Sequence, residues 1–186
     1  NGNGAYTGEH SPEMLMDAGV KWTLTGHSER RTGFGGNPGE TSATVAAKTA
    51  NALKAGMSVI VCIGEQLAER EDGTTMKVCI EQLAPVIAAL SAEDWKRVVI
   101  AYEPVWAIGT GKVATPEQAE ETHREIRAHL AGTLNDDGSI AAALRIIYGG
   151  SVSGKNCAGL IGCDNIDGFL VGGASLKPEF NDIIRC

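Results

Sequence analysis

Basic residues are in short supply in this chain: 16 lysines and arginines stand against 23 acidic residues, a formal net charge of −7. That balance offers no long-range attraction to nucleic acid or to an anionic membrane surface, so neither is an expected partner. Aromatic residues are scarce as well, at 5% of the chain. No stretch approaches the roughly 20 apolar residues of a membrane span, and no signal-like segment opens the sequence. The five cysteines (Cys62, Cys79, Cys157, Cys163 and Cys186) include no Cys-x-x-Cys pair, and no histidine stands at metal-ligand spacing from them. No metal site is expected. The odd set reads as reduced thiols, mostly buried, in a reducing cytoplasmic compartment.

What is present suffices for a core. Apolar residues make up 43% of 186 positions, and residues 1–186 read as one domain or most of one, without a low-complexity tract or interdomain linker. Short apolar runs recur at 22–25, 58–63, 98–102, 145–148 and 168–171, with helical stretches between them. Ser11 followed by Pro12 starts a helix, and Gly19 follows its end. Thr115-Pro116-Glu117-Gln118 is a capping box opening a second, with Ala119, Thr122, Ile126 and Leu130 on its apolar face. His123 and His129 are expected on solvated or flanking faces of that helix. Residues 135–139 form a loop by composition.

Strand and helix in alternation imply an α/β fold with a parallel sheet, either doubly wound or closed into a barrel. A polar or glycine cluster directly follows every strand: Gly26-His27-Ser28-Glu29, Gly64-Glu65, Glu103-Pro104, Gly149-Gly150-Ser151 and Gly172-Gly173. Rims of this kind converge on one pocket in a barrel. The run Val98 to Tyr102 has no polar alternation, as in a strand covered on both faces, and it stops at Glu103 before a glycine-rich loop. A carboxylate is therefore held at the strand end where ligands bind in such folds.

Four segments carry a resemblance. Gly26-His27-Ser28-Glu29-Arg30-Arg31, the run from Ala101 through Gly111, Tyr148-Gly149-Gly150-Ser151-Val152, and the run from Gly168 through Leu176 are similar, in this order, to the triosephosphate isomerase family. The resemblance covers nearly the whole chain. It implies a TIM (β/α)8 barrel of which about five of the eight βα units are present, an aldose-ketose isomerase of glycolysis and gluconeogenesis, a triose phosphate substrate, and no cofactor. A noncatalytic phosphate- or partner-binding fragment and another phosphosugar-handling barrel are the alternatives.

The roles that the resemblance implies fall on particular residues. Glu103 shuttles the proton between two carbons, which the chemistry requires of a positioned base; a structural strand-end ion pair is the competing reading. His27 donates a hydrogen bond to the substrate oxygen as a neutral imidazole, favoured where free amides of a following helix point at the ring. Ser28 and Glu29 line the catalytic site, although an ion pair of Glu29 with Arg30 or Arg31 would explain its charge equally well. Backbone amides at Gly109, Ser151, Gly172 and Gly173 hold the phosphate. The lid is Pro104, Val105, Trp106, Ala107, Ile108, Gly109, Thr110, Gly111, Lys112, Val113 and Ala114, and its closure excludes water. Tyr6, Thr7, Gly8 and Glu9 resemble the loop that enters the neighbouring subunit, which implies a homodimer for the complete protein.

The sequence also departs from the family. A complete barrel has eight units and about 250 residues; the three opening units have no counterpart here, nor do the asparagine and lysine that touch substrate at the end of the family's first strand. The chain is thus expected to be part of a longer protein. Where the family has Phe-Gly-Glu, this chain has Phe34-Gly35-Gly36 and a few inserted residues, with loosened packing near the subunit contact as the expected consequence.

Overall fold

The computed structural model describes residues 2–110, 112–134 and 137–186. Four parallel strands, β1 (Trp22–Thr25), β2 (Ser58–Ile63), β3 (Val98–Tyr102) and β4 (Ile146–Tyr148), form a sheet in the order β1-β2-β3-β4. The described helices are α1 (Pro12–Asp17), α2 (Ser28–Thr32), α3 (Ser42–Lys54), α4 (Leu67–Glu71), α5 (Thr75–Ala89), α6 (Pro116–Thr133), α7 (Ser139–Ala143), α8 (Cys157–Ile161) and α9 (Phe180–Ile184), joined by short 3-10 turns. The register runs Trp22↔Ser58, Val59↔Val98 and Ile100↔Ile146. Every strand therefore ends at the same side of the sheet, and the polar clusters after the strands share one rim.

Both helix starts follow from their side chains. Ser11 accepts from the Met14 amide at 3.3 Å with Pro12 at the first position. Thr115 accepts from the Gln118 amide while Gln118 accepts from the Thr115 amide, at 3.2 and 3.0 Å. These reciprocal bonds satisfy amides that a helix start otherwise leaves open. Of the expected loop 135–139, Asn135 and Asp136 lie outside the described residues; Gly138 adopts φ +87° and leads into α7.

The core lies between the sheet and α3, α5 and α6. Val45, Leu53, Met57, Val59, Val61, Leu83, Ile100, Ile126, Leu130 and Ile146 are at most 1% exposed, and all five residues of β3 are buried. That burial explains why β3 lacks polar alternation. At the outer edge the pattern changes. Trp22 and Leu24 of β1 are nearly half exposed, because β1 has a described neighbour on one side only.

Two expectations need correction. The fifth apolar run, 168–171, is no regular strand: it meets β4 through a single parallel bridge, Tyr148↔Phe169, with bonds from the Tyr148 amide to Gly168 O and from the Leu170 amide to Tyr148 O, each 2.9 Å. His123 is fully buried rather than solvated. It stands four residues after Ala119 and three before Ile126, on the inner stripe of α6, which is wide enough to include it. Its Nδ1 lies 2.7 Å from Ala119 O and the ring meets Tyr102 edge-on, while Nε2 has no hydrogen-bond partner among the described residues. Burial pushes its pKa down, so the ring is held neutral. His129 is half-buried on the flank.

Candidate active site

Glu103 follows the last residue of β3, and the backbone around it is packed too closely for side chains. A Cβ built at Gly64 would lie 1.7 Å from Glu103 O, and one built at Gly149 would lie 2.8 Å from Glu103 Cγ. These glycines, after β2 and β4, admit the carboxylate between the strand ends. Gln82 of α5 fixes Gly64 from behind by accepting from its amide and donating to its carbonyl, at 2.8 and 2.9 Å. Glu103 is 2% exposed. Its Oε2 accepts from the Ser28 amide at 3.2 Å, whereas Oε1 has no hydrogen-bond partner among the described residues. His27 Nε2 lies 3.2 Å from Oε1 without the alignment of a hydrogen bond.

Burial pushes the Glu103 carboxyl above the usual range, opposed by the His27 ring, the Ser28 amide and the Arg31 guanidinium. A carboxylate so desolvated is a stronger base than one in water. His27 caps α2, and its Nδ1 accepts from the Glu29 amide at 3.3 Å. In the neutral ring the proton is therefore on Nε2, the nitrogen beside Glu103. Arg31 lies beneath, donating to Gly26 O and Cys62 O at 2.8 and 3.1 Å.

Glu29 is placed differently from the inner catalytic pair. Its side chain is 79% exposed, with Oε2 3.9 Å from His27 Nδ1, and it lines a separate hollow with Phe34, Val105 and Ile108. The alternative ion pair with Arg30 or Arg31 is not formed. Arg30 turns instead to Glu40, with nitrogen-oxygen distances of 2.6 and 2.7 Å, and Lys48 adds a contact of 2.6 Å to the same oxygen. Glu40, which follows Gly39 at the end of this turn, thus gives the stretch after Phe34-Gly35-Gly36 an acidic partner for two cations.

A cavity of about 560 Å³ joins these groups to three glycine rims, lined among others by His27, Glu103, Gly109, Ser151, Gly172 and Gly173. Among the described residues, none of the amides of Gly109, Ser151, Gly172 and Gly173 donates to a protein acceptor. A Cβ added at Gly172 or Gly173 would meet nothing within 4 Å. Packing therefore does not demand glycine there, and the space in front of the amides is open to an anion. Lys177 and Glu179 also face the cavity.

The lid is tied down at its amino end. Val105 N donates to Glu65 O at 3.0 Å, and Trp106 Nε1 donates to Glu65 Oε1 at 2.9 Å. Tyr102 Oη donates to the same carboxylate, 3.0 and 3.1 Å from its two oxygens. Pro104 through Ala107 make a tight 3-10 turn. The Ser151 hydroxyl donates to Ala107 O at 2.5 Å, linking a phosphate rim to the lid, and Thr110 Oγ1 donates to Trp106 O at 2.7 Å. Gly109 has φ +67°. Lys112 and Val113 are exposed and Ala114 is buried at the far end; Gly111 lies outside the described residues. Glu65 is the anchor that sequence reasoning missed. Its position in the cluster after β2 was visible, but its two ring donors were not.

Tyr6, Thr7, Gly8 and Glu9 stand apart from this cavity in an exposed turn, closed by a bond from the Glu9 amide to Tyr6 O and by Gly8 at φ +92°.

A parallel α/β sheet whose strand ends gather a buried carboxylate, an imidazole and a rim of open amides defines a phosphosugar-handling enzyme of the barrel class. The match to known proteins narrows this. The sequence model described as Triosephosphate isomerase matches residues 1–186, and the chain belongs to the triosephosphate isomerase family. It is 57% identical over 183 residues to a triosephosphate isomerase of Coprinopsis cinerea, covering 98% of this chain and 70% of that protein. It is 55% identical, again over 183 residues, to that of Debaryomyces hansenii, covering 98% and 71%.

Proposed function

We propose that this cavity interconverts dihydroxyacetone phosphate and D-glyceraldehyde 3-phosphate by proton transfer through an enediolate, a step of glycolysis and gluconeogenesis. One observation carries the assignment of roles: a buried carboxylate with one free oxygen stands 3.2 Å from an imidazole nitrogen, in a cavity that is also lined by Gly109, Ser151, Gly172 and Gly173, whose amides donate to no acceptor among the described residues. Glu103 Oε1 takes the proton from carbon, while the Ser28 amide steadies Oε2. His27 Nε2–H donates to the substrate oxygens, where enediolate charge develops. The amides of Gly109, Ser151, Gly172 and Gly173 hold the phosphate, and the lid from Pro104 to Ala114 closes over it. The reading as a noncatalytic fragment has less support, since the base, the imidazole, lid residues Ile108 and Gly109 and the glycine rim all line one cavity.

Assay of triose phosphate isomerisation, with the protein expressed from its natural start and compared with Glu103→Gln, tests the assignment. A fall of roughly 100- to 10,000-fold is expected for a lost general base; equal rates would remove Glu103 from that role. We further propose a cytoplasmic homodimer. Five free thiols are consistent with a reducing compartment, and the exposed Tyr6 turn has the form of an inserting tip. Sedimentation as a monomer at micromolar concentration would refute the dimer.

A further inference from the structure

An anion that enters the cavity meets acidic groups. The described lining holds two carboxylates, Glu103 and Glu179, and a single lysine or arginine, Lys177, on a chain whose formal net charge is −7. Lys177 directly follows the 3-10 turn Gly173–Leu176, which begins in the glycine rim. Its amide donates to Ala174 O at 3.1 Å and its carbonyl accepts from the Phe180 amide at 3.0 Å, so the backbone that bears it is tied to the rim on one side and to α9 on the other. The Lys177 ammonium lies 3.8 Å from Glu179 Oε1, with the two side chains 65% and 34% exposed. So long and exposed a pair contributes little, and the lysine exchanges it for an arriving anion at small cost. Glu179 keeps a partner in that exchange, because its Oε2 accepts from the Gly154 amide at 3.4 Å.

We propose that Lys177 is a specificity-determining residue of this cavity, drawing phosphate esters to the rim of open amides and favouring them over the uncharged sugar. The proposal rests on the reading of that rim as the phosphate site. Backbone amides carry only partial charge and act within hydrogen-bond reach, whereas the field of a full charge extends over about 10 Å at 0.1 M salt. The Glu103 carboxylate repels a dianion before any amide can hold it. A cation on the cavity wall offsets that repulsion at the distance where hydrogen bonds do not yet act. Its removal therefore weakens entry and affinity, in a salt-dependent way, and leaves the proton transfer at Glu103 untouched.

The protein expressed from its natural start is titrated with inorganic phosphate by isothermal calorimetry at ionic strengths of about 0.05 and about 0.5 M, beside Lys177→Gln, Lys177→Arg and Lys155→Gln. At the lower salt Lys177→Gln should bind phosphate roughly 3- to 10-fold more weakly, and the difference should shrink below about twofold at the higher salt. Lys177→Arg keeps the parent affinity. So does Lys155→Gln, which removes an exposed lysine outside the cavity lining. In turnover by Lys177→Gln, KM for a triose phosphate rises by a similar factor at unchanged kcat, and D-glyceraldehyde, which lacks the phosphate, reacts as with the parent. Equal phosphate affinity in Lys177→Gln and the parent would overturn the proposal, as would an equal loss in Lys155→Gln or a loss that persists at high salt. A parent protein that binds phosphate without isomerising triose phosphate would refute the catalytic reading alone, with the role of Lys177 still decided by calorimetry; one that binds no phosphate would refute both.

Discussion

Trp106→Phe and Tyr102→Phe, made singly and together, test whether Glu65 is held by its two ring donors. Each substitution keeps an aromatic ring and removes one donor from a carboxylate that is fully buried. A hydrogen bond to a charged group contributes about 1.5–3 kcal/mol, so each single variant should lose about 2 kcal/mol. The double variant leaves Glu65 with neither ring donor. An ionised carboxylate buried in that state costs several kcal/mol, and it is relieved by taking up a proton. Holding the group neutral at pH 7, against its ordinary value of 4.5, costs about 3.4 kcal/mol.

The sign follows from the direction of the shift. Burial already raises the Glu65 pKa, opposed by the bonds from Trp106 and Tyr102. A folded-state pKa above the unfolded value gives stability that is present below the unfolded value and lost as pH rises through the folded one. In the double variant the folded pKa moves higher still. Its stability should fall by up to about 1.4 kcal/mol per pH unit between pH 5 and 7, more steeply than that of the parent protein. Urea unfolding followed by far-ultraviolet circular dichroism at pH 5, 6 and 7 measures this. Strictly additive losses with the parent's pH slope would refute the idea that the two rings serve one carboxylate.

The glycines around Glu103 give a graded series. Gly64→Ala forces a Cβ to within 1.7 Å of a backbone oxygen and should cost about 3 kcal/mol or more in urea unfolding; a wild-type midpoint would contradict the packing. Gly149→Ala meets the movable Glu103 Cγ at 2.8 Å, so its stability loss should be smaller while kcat falls roughly 100-fold through a displaced base. Full activity in that variant would sink the positioning argument. At the anion rim, Gly173→Ala meets nothing within 4 Å and should change stability by less than about 0.5 kcal/mol. It adds a methyl to a residue lining the cavity, so KM for a triose phosphate should rise roughly 10- to 100-fold, and an unchanged KM would remove Gly173 from the phosphate site.

Much of this arrangement is local and for that reason legible in the sequence. The starts of α1 and α6 are set by Ser11-Pro12 and by Thr115 with Gln118, residues three or fewer positions apart. The burial of β3 shows in five consecutive residues without polar alternation. Glu103 and His27 were visible because each directly ends or follows a strand, and parallel strands with matched register bring those ends to one rim. The features that escaped depend on contacts across long sequence separations. Tyr102 and Trp106 reach Glu65 over 37 and 41 residues, and no spacing rule connects them.

The placements that the sequence got wrong, as for His123, or left open, as for Glu29, concern residues with two chemical options. His123 is polar enough for a solvated face, yet it falls within a wide apolar stripe and finds a carbonyl one turn away at Ala119. Arg30 and Glu29 are adjacent in sequence with opposite charge, but successive residues of a helix diverge, so proximity along the chain does not make a pair. Arg30 reaches Glu40 instead because the inserted turn ends with the Glu40 amide bonded to Arg30 O at 2.8 Å. That backbone bond places the carboxylate beside the guanidinium. The insertion thus alters the local sequence pattern while restoring an acidic partner, and its Gly39 is required by the same approach, since a Cβ there would collide with Arg31 O.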